Sequence, residues 1–82
     1  MRMLYFAWVR EAVGTGEEQV TPPAEVSTMA DLIDWLSKDE PHATAFADRD
    51  RLRTAVDGVF AALDAPIAGA SEIAIFPPVT GG

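Results

Sequence analysis

The stretch Thr28-Met29-Ala30-Asp31-Leu32-Ile33-Asp34-Trp35-Leu36-Ser37-Lys38 reads as the clearest helix in the chain. The Thr28 hydroxyl is placed to cap the first turn, and Asp31, three residues on, takes the reciprocal position of a capping box. Met29, Leu32, Ile33 and Leu36 recur at i, i+3, i+4 and i+7, so one apolar stripe faces a neighbouring layer. Asp31 and Asp34 near the start and Lys38 near the end agree with the helix dipole.

On both sides of this helix the residues favour strands. Met1 to Val9 (MRMLYFAWV) is almost continuously hydrophobic, as a strand buried on both faces would be. Arg10 to Gly16 follows as a turn with one helical coil, and Glu18 to Pro22 as a shorter strand stopped by Pro22 and Pro23. After the helix, Pro41 starts a short second helix to about Asp48, with Phe46 turned inward. Arg51 to Val56 reads as a third strand, and Asp57-Gly58 as a two-residue hairpin into Val59-Phe60. Ile73 to Phe76 forms a last strand, ended by Pro77-Pro78, neither of which can donate to a sheet ladder. Strand, strand, helix, strands is an α+β order. It predicts a β-grasp (ubiquitin-like) fold, with a mixed sheet packed on one main helix, a short second helix, and the first and last strands adjacent in mid-sheet. Residues 1–76 make the domain and 77–82 an extended C-terminal tail.

Composition narrows the chemistry. At 82 residues with 49% hydrophobic and 23% charged, the chain folds as one small domain with little room for an enclosed active site. It has no cysteine, and its single histidine, His42, cannot build a histidine metal site alone. A net charge of −7 argues against nucleic acid and suits a partner with a basic face. The apolar run Met3 to Val9 is too short to span a membrane, and Arg10-Glu11 follows it directly, so a soluble, cytoplasmic domain is expected. Trp8 and Trp35 read as packing aromatics and His42 as a surface residue on the second helix. The run Asp48-Arg49-Asp50-Arg51 with Arg53 reads as a solvated charged connection.

The end of the chain, Phe76-Pro77-Pro78-Val79-Thr80-Gly81-Gly82, is the unusual feature. Beyond an anchored strand, its last six residues span ~20 Å when extended at about 3.3 Å each. A terminal carboxylate is a poor electrophile until activated, commonly as a mixed anhydride with AMP, and two glycines let the backbone enter a narrow channel. The adenylated carbonyl then accepts nitrogen to make an amide, or sulfur to make a thiocarboxylate. Two glycines also arise by composition or at a frayed end; after Pro-Pro, a buried strand and this element order, the chemical reading gains weight.

These residues resemble the small-subunit family of molybdopterin synthase, the sulfur carriers of molybdenum cofactor biosynthesis. Ile75-Phe76-Pro77-Pro78-Val79-Thr80-Gly81-Gly82 matches the family's terminal FPPV-S/T-GG, and Phe6-Ala7-Trp8-Val9-Arg10-Glu11 matches its FA-x-x-RE pattern. Ala55-Val56-Asp57 is a weaker match, because the family usually has asparagine at the last position. The resemblance implies that an ATP-dependent, ubiquitin-activating-like enzyme adenylates Gly82, which is then thiocarboxylated. The tail would insert into the large subunit and give its sulfur to the pterin precursor. Gly82 would supply the reacting atom, Gly81 the backbone clearance, and Pro77, Pro78, Val79 and Thr80 the reach. Phe6, Val59 and Phe76 would form an apolar docking patch with Arg10 beside it, although all three also suit an ordinary core. A heterotetramer of two large and two small subunits is implied. This chain would be its non-catalytic, sulfur-donating member, binding no metal and no cofactor, with ATP used by the activating enzyme. One departure stands out: the family often has Asp-Gly-Asp-Glu before the last strand, and here it is Gly69-Ala70-Ser71-Glu72, which puts an acidic docking contact in doubt.

Three alternatives stay open. A thiazole-synthesis sulfur carrier shares the chemistry but is typically shorter and lacks the Phe-Pro-Pro tail. A ubiquitin-like protein modifier would join its end to lysines of other proteins; here Lys38 alone could extend a chain of such modifiers. A non-covalent interaction module would leave the tail inert.

Overall fold

Strand β1 (Arg2–Tyr5) lies inside a five-stranded sheet, next to its central strand, in the computed structural model, which describes residues 1–78. It is followed by helix α1 (Ala7–Val13), strand β2 (Glu17–Gln19), helix α2 (Met29–Leu36) and helix α3 (His42–Ala45). A 3-10 turn (Arg49–Arg51) then leads to β3 (Arg53–Val56), β4 (Val59–Ala61) and β5 (Glu72–Phe76). The sheet order is β2-β1-β5-β3-β4, with β1 and β5 parallel and every other pair antiparallel. This is the mixed β-grasp sheet expected from the element order, and its first and last strands are neighbours.

Strand alternation divides the sheet into two faces. Met3 and Tyr5 of β1 and Ile73 and Ile75 of β5 point into the core, where they meet Met29, Leu32, Ile33 and Leu36, the apolar stripe of α2. Leu4, Ala74, Ala55 and Phe60 occupy the other face through the registers Leu4↔Ala74, Ala55↔Ala74 and Ala55↔Phe60. Thr54, buried among the core residues, donates its hydroxyl to the Ala61 carbonyl at 2.6 Å.

Helix α2 begins with the capping box. The Asp31 N–H donates to Thr28 Oγ1 at 3.2 Å, and the Thr28 N–H donates to Asp31 Oδ2 at 3.2 Å. Backbone donation from Ser27, then Thr28, followed by the Ser27 hydroxyl, holds the Asp31 carboxyl below its ordinary 3.8. A carboxyl whose folded pKa is depressed contributes stability that is complete above its unfolded pKa and disappears as pH falls through the folded one. The melting-temperature gap between wild type and Asp31→Ala is therefore expected to hold steady at neutral pH. It should start closing as the pH drops to 3.8 and be gone in stronger acid. A pH-independent gap in thermal melts would contradict this.

Several boundaries differ from the sequence reading: β2 runs Glu17–Gln19 rather than Glu18 to Pro22, and α3 covers only His42–Ala45 of the expected Pro41 to Asp48. The hydrophobic run Met1 to Val9 is not one strand. It breaks at Phe6, and Ala7, at φ +52°, turns the chain into α1. Val9 and Val13, four residues apart, bury one face of this helix, and Gly14 closes it at φ +94° with its N–H on the Arg10 carbonyl. The expected turn at Arg10 to Gly16 is therefore mostly helix. Strand β3 starts at Arg53 rather than Arg51, because Asp48 accepts from the Asp50 N–H and winds residues 49–51 into the 3-10 turn. The Asp57-Gly58 hairpin forms as expected, with φ of +48° and +83° at its two corner residues.

His42 is not a surface residue. Its ring stacks edge-on against Tyr5 and Phe46, and Nε2 lies 2.8 Å from Glu18 Oε2. Helix α3 packs over the β1–β2 edge of the sheet, and the Glu18 carboxylate meets the hydrogen-bonding need of the half-buried ring. Burial, and secondarily the Glu18 charge, pushes the Tyr5 phenol far up, so it stays un-ionised. The charged connection is also more engaged than a solvated one. Arg49 pairs with Asp34 at 2.9 Å and donates to the Phe46 carbonyl, while Arg51 lies 4.6 Å over the Trp8 ring. Trp8 and Trp35 pack against the core, as expected. No helix among the described residues is long and apolar enough to cross a membrane.

Candidate functional site

The parallel pairing of β1 with β5 determines what surrounds the exit of the tail. Tyr5 is in register with Ile75, and the Phe6 N–H donates to the Ile75 carbonyl at 3.3 Å. Phe6 and Phe76 are thus carried to the same end of the sheet, where the chain turns into α1 on one strand and leaves through Pro77 and Pro78 on the other. The sharp turn at Ala7 leaves Phe6 49% exposed. On the other side of β5, Arg53 is the register partner of Phe76.

The hairpin contributes a second aromatic. Phe60 is 80% exposed, and its ring centroid lies 5.8 Å from that of Phe76. Alternation puts Val59, 69% exposed and paired with Val56, on the face opposite Phe60. Of the expected docking residues, the structure gathers Phe6 and Phe76 at one end, with Arg10 following on α1, and Val59 lies apart from them. Phe60 and the exposed Leu63 join this end although sequence reasoning did not single them out. Counting residues from the Asp57-Gly58 turn in steps of two would have found Phe60.

Pro77 and Pro78 are half-buried as the tail begins. The expected tail residues Val79 and Thr80, and the expected reactive end Gly81-Gly82, lie outside the described residues. The far corner of β5 is held by Asp57, whose carboxylate accepts from the Ser71 and Glu72 N–H groups at 3.0 and 2.9 Å. The turn that departs from the family pattern is therefore tied down by a carboxylate from the neighbouring hairpin. Glu72, the acid retained there, pairs with Arg2.

Chemically this end of the sheet is a platform. It offers exposed aromatic surface, several guanidinium groups and a tail anchored on a central strand.

Comparison with known proteins agrees over the whole chain. The ThiS family model matches residues 3–82. The molybdopterin synthase sulfur carrier subunit of Escherichia coli (strain K12) is 33% identical over 82 residues, covering 100% of this chain and 99% of that protein. The subunit of the same name from Mycosarcoma maydis is 31% identical over 86 residues, covering 100% and 92%. Among solved structures, small archaeal modifier protein 1 (SAMP1) of Haloferax volcanii superposes with a TM-score of 0.73 at 28% identity, covering 99% of this chain and 97% of that one. With a match running from its first strand to its last residue, the chain belongs to the ThiS family.

Proposed function

We propose that this chain is the sulfur carrier subunit of a molybdopterin synthase and that Gly82 bears the reacting group. The observation that carries this reading is the Phe76-Pro77-Pro78-Val79-Thr80-Gly81-Gly82 end, continuing from a central strand in a chain alike over its full length to two carriers of that name. In the proposed cycle the Gly82 carboxylate attacks the α-phosphate of ATP on an adenylating enzyme, and pyrophosphate leaves. A sulfur nucleophile then displaces AMP to give the thiocarboxylate. The large synthase subunit, two copies with two of this chain, receives the tail and passes the sulfur to the pterin precursor. Water returns the terminus to a carboxylate. The aromatic end of the sheet docks the partner, and the acid–base groups come from the large subunit.

Co-expression with a cognate adenylating enzyme and a sulfur donor is expected to give intact protein heavier by the difference between one sulfur and one oxygen atom, localised to Gly82. An unchanged mass, with enzyme and donor shown to act on another carrier, overturns the reading. The likeness to the Haloferax volcanii modifier protein supports a second one, attachment of Gly82 to lysines of other proteins. Adducts with cellular proteins in place of the thiocarboxylate would select it.

A further inference from the structure

Lysine is among the commonest residues of soluble domains, yet five of the six basic residues here are arginine, Lys38 is the one lysine, and cysteine is absent. The arginines are placed unevenly about the tail. Arg53 is the register partner of Phe76, and Arg51 precedes it by two residues. Arg10 lies one turn of α1 past Phe6, whose N–H is bound to the Ile75 carbonyl. The backbones of Arg10, Arg51 and Arg53 therefore fall within the ~20 Å that six extended residues beyond Phe76 span. The amines of the chain are placed differently. The Met1 ammonium donates to the Val20 carbonyl at 3.2 Å, at the end of β1 opposite the tail exit. Lys38 follows α2 and lines a separate groove with three carboxylates, those of Glu25, Asp31 and Asp34. Structural contacts alone do not call for a guanidinium at each exit position. Stacking on Trp8 suits the planar group of Arg51. Arg53, however, donates from the single nitrogen Nη1 to the carbonyls of Asp50 and Leu52 at 3.1 and 2.8 Å, as an ammonium could.

We propose that Arg10, Arg51 and Arg53 are specificity determinants that reserve the activated end of the chain for sulfur, an inference that rests on the carrier reading above. A Gly82 carbonyl carried as an acyl adenylate is open to any free amine within its reach. Attack by a lysine forms a C–N bond, breaks the bond from that carbon to the AMP oxygen, and releases a proton from the nitrogen. The amide left behind ends the cycle for that molecule. A lysine tethered on the same chain would meet the end at a local concentration on the order of 1 mM, with about 0.1% of it free base near neutral pH. A guanidinium stays protonated at every working pH and presents no nucleophilic lone pair. Arginine at these positions thus keeps the surface cationic and removes the competing nucleophile, leaving the partner's sulfur to take the carbonyl.

The test uses the full chain with Gly82 converted to a mercaptoethanesulfonate thioester, incubated near neutral pH without any enzyme and read by intact mass. Wild type is expected to hydrolyse to the carboxylate. Arg53→Lys and Arg51→Lys are each expected to yield a chain lighter than that carboxylate form by one water, in about tenfold or greater excess over wild type. Peptide mapping should place the new amide at the substituted position. Lys38→Arg removes the one native lysine and is expected to match wild type. Thermal melts check the fold of each variant, and either arginine variant carries the test if the other does not fold. Equal yields in wild type and the arginine variants, or a wild-type chain that acylates Lys38 to the same extent, overturn the proposal. The carrier reading is judged separately, by ATP–pyrophosphate exchange between the wild-type chain and the cognate adenylating enzyme. Exchange leaves it standing whatever the thioesters do, and no exchange, on an enzyme active toward another carrier, removes both.

Discussion

Adding one residue after Gly82 is expected to leave the melting temperature where it is and to abolish sulfur loading. The last strand ends at Phe76, and the described core residues run no further along the chain than Ile75. An extra residue therefore removes no core contact and no ladder hydrogen bond, and the stability has no reason to move. The chemistry has no such tolerance under the carrier reading. The reacting carboxylate must lie in line with the α-phosphate, and an added residue moves it by about 3.5 Å along the chain. Misplacement of about 1 Å costs on the order of 100-fold in rate, so adenylation should fall below detection. Thermal melts and intact-mass analysis on the same preparation separate the two effects. Sulfur loading of a chain verified to retain its extension would end the role given to Gly82.

The second large effect concerns stability. Phe46→Ala is expected to cost about 3–5 kcal/mol, the range for emptying a buried aromatic site. Phe46 is fully buried, follows the four-residue helix α3, and lies against both Tyr5 and His42, with ring centroids 6.0 and 5.8 Å away. Its removal opens a cavity between α3 and the sheet. A domain this small has roughly 5 kcal/mol or little more to lose, so the melting temperature should drop by on the order of 20 °C. Phe46→Leu, which keeps most of the volume, should cost clearly less. Urea unfolding of the two variants decides the matter, and a loss under about 1 kcal/mol for the alanine would mean that the site collapses around the gap.

The parts of the fold legible from sequence were those encoded locally. Thr28 and Asp31 form their capping box, Asp57-Gly58 makes the hairpin, and the two most hydrophobic strands lie side by side. Local signals failed where apolar residues ran on without periodicity. Met1 to Val9 suits a buried strand or a strand followed by a helix equally well, and what separates them is the turn at Ala7 together with the Val9–Val13 spacing. His42 was misread because its partner Glu18 is 24 residues away, brought close by the packing of α3 on the sheet. The end of the sheet from which the tail leaves shows the same division. Phe76 and Phe6 stand in sequence motifs, whereas Phe60 reaches Phe76 through a register in which one residue separates one face of the sheet from the other.

The parallel neighbours β1 and β5 also set how the molecule responds to being pulled. The N-terminus enters at one end of β1 and the tail departs from the opposite end of β5. Tension drawn between the two loads the hydrogen bonds of that ladder sideways and all together, rather than peeling them apart one at a time. A tail gripped in a narrow channel and then withdrawn would thus transmit its load to the most cooperative seam in the sheet, and the body would come away still folded.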